Sequence, residues 1–196
     1  MCVPRGSAAG MMPLPFVPSL AYFNRVIRVA PPAVAAAAAL LLLAVAAAGP
    51  AGAACTDTAV PHVDWRRCSI DGAELRERDL SGATLRDASF DRADLTGANL
   101  SDVQAYRAKF VSATLRSAVL TGAVLAEADF TRADLTGAQL VRADLRRARF
   151  FRANLRDADL TGAQIAGADL LNGDLSNALW IDGKRRCAEG SIGQCN

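Results

Sequence analysis

The chain is poor in the side chains that do chemistry. It has one histidine, His62, in 196 residues, and no C-x-x-C pair, so neither a zinc-type ligand set nor a histidine-based catalytic pair can be assembled. No phosphate-binding glycine loop and no nucleophile beside a base stand in the sequence, and it is read as non-enzymatic, with catalytic residues, cofactor-binding residues and metal ligands all none. Aromatic residues make up only 6%, while 52% of residues are hydrophobic, mostly Ala and Leu. That composition suits an Ala-rich helical protein or a tightly packed repeat. Acidic residues are missing altogether before Asp57, although Arg5, Arg25 and Arg28 lie there. Beyond residue 53 the net charge is −1, so the body has no long-range field to steer nucleic acid.

The longest apolar run is Ala33 to Ala48, 16 residues. It falls short of the roughly 20 that a spanning helix needs and fits the hydrophobic core of a signal peptide. A small-residue site follows at Ala51-Gly52-Ala53. Residues 1–53 are therefore expected to be a signal peptide with its hydrophobic region at 33–48, cleaved before Ala54, and the mature protein to be periplasmic or secreted. A retained membrane anchor and a lipoprotein are the alternatives. Cys55 sits where a lipidated cysteine would, but Gly52 stands where a lipidation box has Leu. Cys2 would leave with the signal, and Cys55, Cys68, Cys187 and Cys195 remain as an even set for an oxidising compartment.

The body of the chain repeats every five residues. From Ile70 to Trp180, every fifth position gives 23 residues: 15 Leu, four Phe, two Ile, Ala105 and Trp180. Two positions earlier Ala stands 19 times of 23, the exceptions being Cys68, Arg78, Val103 and Gly173. A period of five does not keep to one face of an α-helix, because five residues advance 500° and successive Leu drift by about 140°. The Ala-x-Leu spacing instead matches a short extended piece whose alternate side chains share a direction, followed by a corner. Ser81-Gly82, Thr96-Gly97, Thr121-Gly122, Thr136-Gly137 and Thr161-Gly162 supply corner chemistry.

Phe90, Phe110, Phe130 and Phe150 recur at intervals of 20, which is four pentads. Four pentads per coil would stack them as a core ladder on one side, with coils about 4.8 Å apart. A stiff rod between the cysteine pairs leaves Cys55 to Cys68 and Cys187 to Cys195 as the plausible disulfides. With Trp65 and Trp180, those disulfides are read as plugs for the two ends, since open ends leave backbone donors and acceptors able to recruit another chain.

The run Ala-Asp/Asn-Leu-x-x, as in Ala93-Asp94-Leu95, Ala133-Asp134-Leu135 and Ala153-Asn154-Leu155, strongly resembles the pentapeptide-repeat family. The resemblance implies an all-β fold, a right-handed quadrilateral parallel β-helix of about five to six coils near 27 Å long. It implies that Leu and Ala point inward. The expected organisation is an entry segment at 54–69, the solenoid at 70–180 and a disulfide-closed tail at 181–196. Val63-Asp64-Trp65 and the tail from Trp180 to Cys195 resemble the terminal segments of exported bacterial members.

Two surfaces are candidates for interaction. Arg142, Arg146, Arg147, Arg149, Arg152 and Arg156 crowd the late coils as a basic patch that could meet acidic lipid headgroups. Val111, Phe151 and Leu171, with Tyr106 nearby, form an outer apolar stripe suited to a protein partner or a homodimer. The leading expectation is an exported rigid scaffold of the cell envelope with an unidentified protein partner and no nucleic acid. The alternatives are a membrane-surface scaffold binding acidic lipids through the Arg patch, and the DNA-mimic gyrase inhibition known in the family, which needs an acidic rod that this charge balance does not supply.

Overall fold

The computed structural model describes residues Cys55–Asn196, so the expected signal peptide and its cleavage site lie outside the described residues. In this region the backbone repeats one unit every five residues, a two-residue turn followed by a short extended side with a single bridged residue at its centre. Each parallel bridge joins residue i to residue i+20, running from Asp64 with Thr84 to Asp159 with Leu179. Since the bridged positions advance by five, four sides complete a turn before the chain stacks on itself.

The sides follow in order. The first, the Phe side, is bridged through Ser69, Ser89, Lys109, Asp129, Arg149 and Asp169. The second runs through Glu74, Asp94, Thr114, Asp134, Asn154 and Asp174. The third runs through Asp79, Asn99, Val119, Gln139, Asp159 and Leu179, and the fourth through Asp64, Thr84, Gln104, Val124, Asp144 and Gln164.

Both turn-forming and packing needs explain the pentad. The inner Ala closes each turn by donating its N–H to the core residue three before it, as Ala133 does to Phe130 O at 2.9 Å. The core residue then donates to the next coil, as Phe130 does to Arg149 O at 2.7 Å. Both side chains face the interior, and there is room for little more than a methyl at the first position. From Ala83 to Leu160 the two inner positions are at most 1% exposed. Val103 and Ala105 reverse the usual small–large order within one pentad and are both fully buried, so the volume is largely kept. At Gly173, where the inner Ala is missing, a Cβ would lie 3.1 Å from Leu170 O and 3.3 Å from Phe150 O, a tight approach to backbone on both sides. Arg78, the other large exception, stays exposed in the first coil.

The second turn residue is left-handed. Gly occupies it at Gly97 and Gly137, φ +65° and +66°, yet Ser117 sits between them in the same row at φ 54°. Arg, Asp and Glu take the same conformation at Arg132, Asp157 and Glu127. Such residues carry of order 1 kcal/mol of backbone strain each, held by the ladder on either side.

The four Phe rings stack. Centroid separations along Phe90, Phe110, Phe130 and Phe150 are 5.3, 5.0 and 5.0 Å, with planes within 8° of parallel. Trp65 tilts onto Phe90 at 6.3 Å and is 3% exposed, covering the interior at the N-terminal end. Cys55 is bonded to Cys68, and Cys187 to Cys195. Two paired cysteines at each end fit an oxidising compartment.

Candidate interaction surfaces

The outer side chains are ordered by the coil rather than by sequence proximity. Asp or Asn at the bridged position accepts a hydrogen bond from the N–H two residues on, the first residue of the following turn. Thr96 N–H donates to Asp94 at 3.0 Å, Ser101 N–H to Asn99 at 3.1 Å, Thr131 N–H to Asp129 at 2.9 Å and Thr161 N–H to Asp159 at 2.9 Å. These Asx-type caps explain why the middle residue is so often Asp or Asn. The hydrogen bond from the Thr96 side chain holds the Asp94 carboxyl below the usual carboxylate range, with Arg76 adding to the effect. At Asp174 burial works upward, but the bonds from Ser176 and Arg156 outweigh it and the group is also lowered.

The six clustered arginines do not form one patch. The chain turns a corner every five residues, so Arg142, Arg146 with Arg147, Arg152 and Arg156 project from four different corners, and Arg149 from the Phe side. Most are engaged: Arg146 with Asp144 at 2.6 Å, Arg147 with Glu127 at 3.7 Å, Arg149 with Asp129 at 3.7 Å, and Arg156 with Asp174 at 3.2 Å and Glu189 at 2.8 Å. Arg152 lies over the Phe151 ring at 5.1 Å. Arg142 rests its stem 3.3 Å from the Cβ position of Gly162.

The expected apolar stripe also differs in extent. Val111 and Phe151 are half-buried, and in this row Leu171 alone is strongly exposed, at 59%. Tyr106 belongs to the adjacent corner, under Arg86 at 5.8 Å. It borders a shallow depression of about 390 Å³ lined also by Ala126, Glu127, Arg146, Arg147 and Ala166. A hydrogen bond to Glu127 raises the Tyr106 phenol above its ordinary value.

Rows read at intervals of 20 reveal what local reading missed. One corner alternates in charge: Arg67, Asp87, Arg107, Glu127, Arg147, with Arg107 to Asp87 at 3.6 Å. Beside it on the Phe side run Lys109, Asp129, Arg149 and Asp169. The second side carries an Arg–Asp brace every 40 residues, Arg76 to Asp94 at 2.6 Å, Arg116 to Asp134 at 3.6 Å and Arg156 to Asp174 at 3.2 Å. These exposed pairs each contribute roughly 0–1 kcal/mol, so they pattern the surface more than they stabilise it.

The tail turns back over half of the C-terminal end. It pairs antiparallel with the third side through Leu179 and Arg186 and with the second side through Asp174 and Ile192. Trp180 is half-buried there, with Arg185 over its ring at 5.8 Å. No group of three or more metal-ligating side chains stands close enough to hold an ion among the described residues. Nor is any described helix long and apolar enough to cross a membrane.

Comparison with known proteins agrees with this architecture. A family model for pentapeptide repeats matches eight copies over residues 73–110, 108–147 and 143–179. HetL, a pentapeptide repeat protein involved in heterocyst differentiation regulation in Nostoc sp. strain PCC 7120, is 30% identical, with 63% of this chain and 70% of HetL covered and a TM-score of 0.39. Rfr23 from Cyanothece 51142 is 22% identical over 60% of this chain and 90% of its own, with a TM-score of 0.38. A pentapeptide repeat protein of the Arabidopsis thaliana thylakoid lumen is 25% identical over 63% of this chain and 83% of its own, TM-score 0.29. No curated protein matches the chain. With the family model spanning more than half of its length, the chain belongs to the pentapeptide-repeat proteins, whose known structures are right-handed quadrilateral β-helices.

Proposed function

We propose that this protein is an exported, non-enzymatic scaffold, a right-handed rod of five to six coils that presents fixed rows of side chains to a protein partner in the cell envelope. The observation that carries the reading is the unbroken parallel ladder from Asp64 to Leu179, tied by a disulfide at either end. A ladder of this kind places any two outer residues at a set spacing of about 4.8 Å per coil. Interaction is the use that such a surface supports best, because the interior is filled by Ala, Leu and Phe and leaves nothing to enclose a substrate. Export is supported by the Arg-containing, acid-free N-terminus, its 16-residue apolar run and the paired cysteines. The division into segments 1–53, 54–69, 70–180 and 181–196 belongs to the same proposal. The corner of Arg67, Asp87, Arg107, Glu127 and Arg147 alternates in charge and the row of Arg92, Arg132 and Arg152 is basic, which supports a protein partner over a DNA-like role, since that role calls for acidic rows.

The test is site-specific photo-crosslinking in the host, with the reactive group placed in turn at Arg92, Thr121, Asp157 and Gly167. Discrete protein adducts at one or more corners are expected. Mature protein that reaches the envelope and gives no adduct from any corner would end the scaffold reading.

A further inference from the structure

The C-terminal end is finished on two sides and open on the other two. On the second and third sides the tail satisfies the last coil, with Leu175 N–H donating to Ser191 O at 2.8 Å, Gly193 N–H to Gly173 O at 2.8 Å and Cys187 N–H to Ala178 O at 2.8 Å. On the fourth and first sides, the N–H groups of Ile165, Gly167 and Leu170 and the carbonyls of Ala163 and Ala168 have no backbone partner among the described residues. One coil earlier the equivalent groups are all engaged: Leu145 N–H with Gln164 O, Arg147 N–H with Ala166 O and Phe150 N–H with Asp169 O. A sheet edge that presents donors and acceptors in register is a template for one more strand.

Side chains at this edge are apolar where the next coil would cover them. Ile165 and Leu170 are half-buried, and Leu171 and Ile192 are 59% and 50% exposed. These are two of the three large hydrophobic residues exposed among the described residues, and the chain beside each approaches the other: Gly193 N–H donates to Gly173 O at 2.8 Å, and a Cβ placed on Gly193 would lie 3.6 Å from Leu170 O and 3.7 Å from Asn172 N. The charge order on the Phe side then specifies the occupant. Lys109, Asp129, Arg149 and Asp169 alternate in sign, so the position over Asp169 calls for a cation. A second copy paired antiparallel about Asp169 would set two carboxylates face to face, which disfavours it.

We propose that the edge formed by residues 163–172 docks a segment of a partner protein by strand addition, as two short extended pieces bent at the corner of Ala166 and Gly167, with Lys or Arg over Asp169 and apolar residues against Leu170, Leu171 and Ile192. The proposal rests on the scaffold reading and names the surface that reading uses. The tail is its precedent, since the chain's own residues already cover the other half of the same end as extended, antiparallel pieces.

The test uses the disulfide-bonded protein and a synthetic peptide of the chain's own residues 143–152, whose Arg149 covers Asp129 at 3.7 Å in the fold. Amide exchange at Ile165, Gly167 and Leu170 is followed by NMR with this peptide and with its Arg149→Asp form. Fast exchange in the free protein is expected, slowed about tenfold or more by the first peptide and little by the second. Asp169→Lys should reverse that preference. Asp169→Asn, which keeps the bond accepted from Leu171 N–H at 3.0 Å, should abolish the preference without unfolding the end.

Unprotected amides with either peptide would overturn the proposal, as would equal protection by both. Protection in the free protein that grows with concentration alongside a two-copy mass would give the edge to a second copy instead and equally overturn it. Photo-adducts from Thr121 or Asp157 together with unprotected edge amides would retire the edge while leaving the scaffold reading in place.

Discussion

The middle coils and the C-terminal end follow the same five-residue rule but are held in different ways. Around Phe110 and Phe130 every inner residue is covered by a coil above and a coil below, and each ladder donor finds the next turn. At the end there is no coil beyond, and the chain substitutes a short tail closed by Cys187 and Cys195, which reaches only two of four sides. Repetition thus stabilises a solenoid only where neighbours exist on both sides, and an end requires a separate device.

The largest break of that contrast is Phe130→Ala. It removes the ring between two partners at 5.0 Å and should cost about 3–5 kcal/mol, read as a drop in the denaturant midpoint. A loss below about 1 kcal/mol would mean that the stack carries little of the core. Next comes the paired change Cys187→Ser and Cys195→Ser, expected to cost about 2–3 kcal/mol from the unfolded-state entropy of so short a loop. Its effect should be local. Amide exchange should quicken at Leu175, Asn177 and Cys187 and stay unchanged at Leu120 and Leu125, and uniform quickening would show that the end is not a separate unit.

Asp94 tests a smaller contribution shared by most coils. Asp94→Ala loses the turn cap and the Arg76 brace and should cost about 1 kcal/mol, whereas Asp94→Asn retains the bond from Thr96 N–H, as Asn99 does from Ser101. The folded Asp94 carboxyl lies below its unfolded value of about 3.9. Its contribution is therefore complete above that unfolded value and is lost as pH falls through the lower folded one. Asp94→Asn should accordingly flatten the acid limb of a melting-temperature profile, and an unchanged limb would refute the assignment. The smallest effect is a gain. Ser117→Gly relieves a left-handed residue flanked in its row by Gly97 and Gly137 and should raise stability by up to about 1 kcal/mol, measured by denaturant titration.

Much of the fold was legible because the pentad is a strict local rule. Leu or Phe every fifth residue, with Ala two before, is incompatible with a helix, and the interval of 20 between Phe residues announces a four-sided coil. The surface was less legible. Reading Arg142 to Arg156 as a run suggested a patch, but in a coil with a corner every five residues, neighbours in sequence point to different sides. The alternating row from Arg67 to Arg147 could have been found by reading at intervals of 20, whereas the cap from Asp94 to the following turn needs backbone geometry. Phe151 illustrates the same limit: its position is outward, yet it is half-buried, with the Arg152 guanidinium over its ring.

By itself the sequence determined the period, the identity of the inner residues, the chemistry of the turns and the presence of cysteines at both ends, because each of these is a demand made within five residues or by residue type. Only the tertiary structure decided which charges meet, where the tail lands and which half of the end stays open. Those outcomes depend on which atoms lie one coil away, at about 4.8 Å. They also depend on the tail, whose two antiparallel contacts follow no five-residue rule.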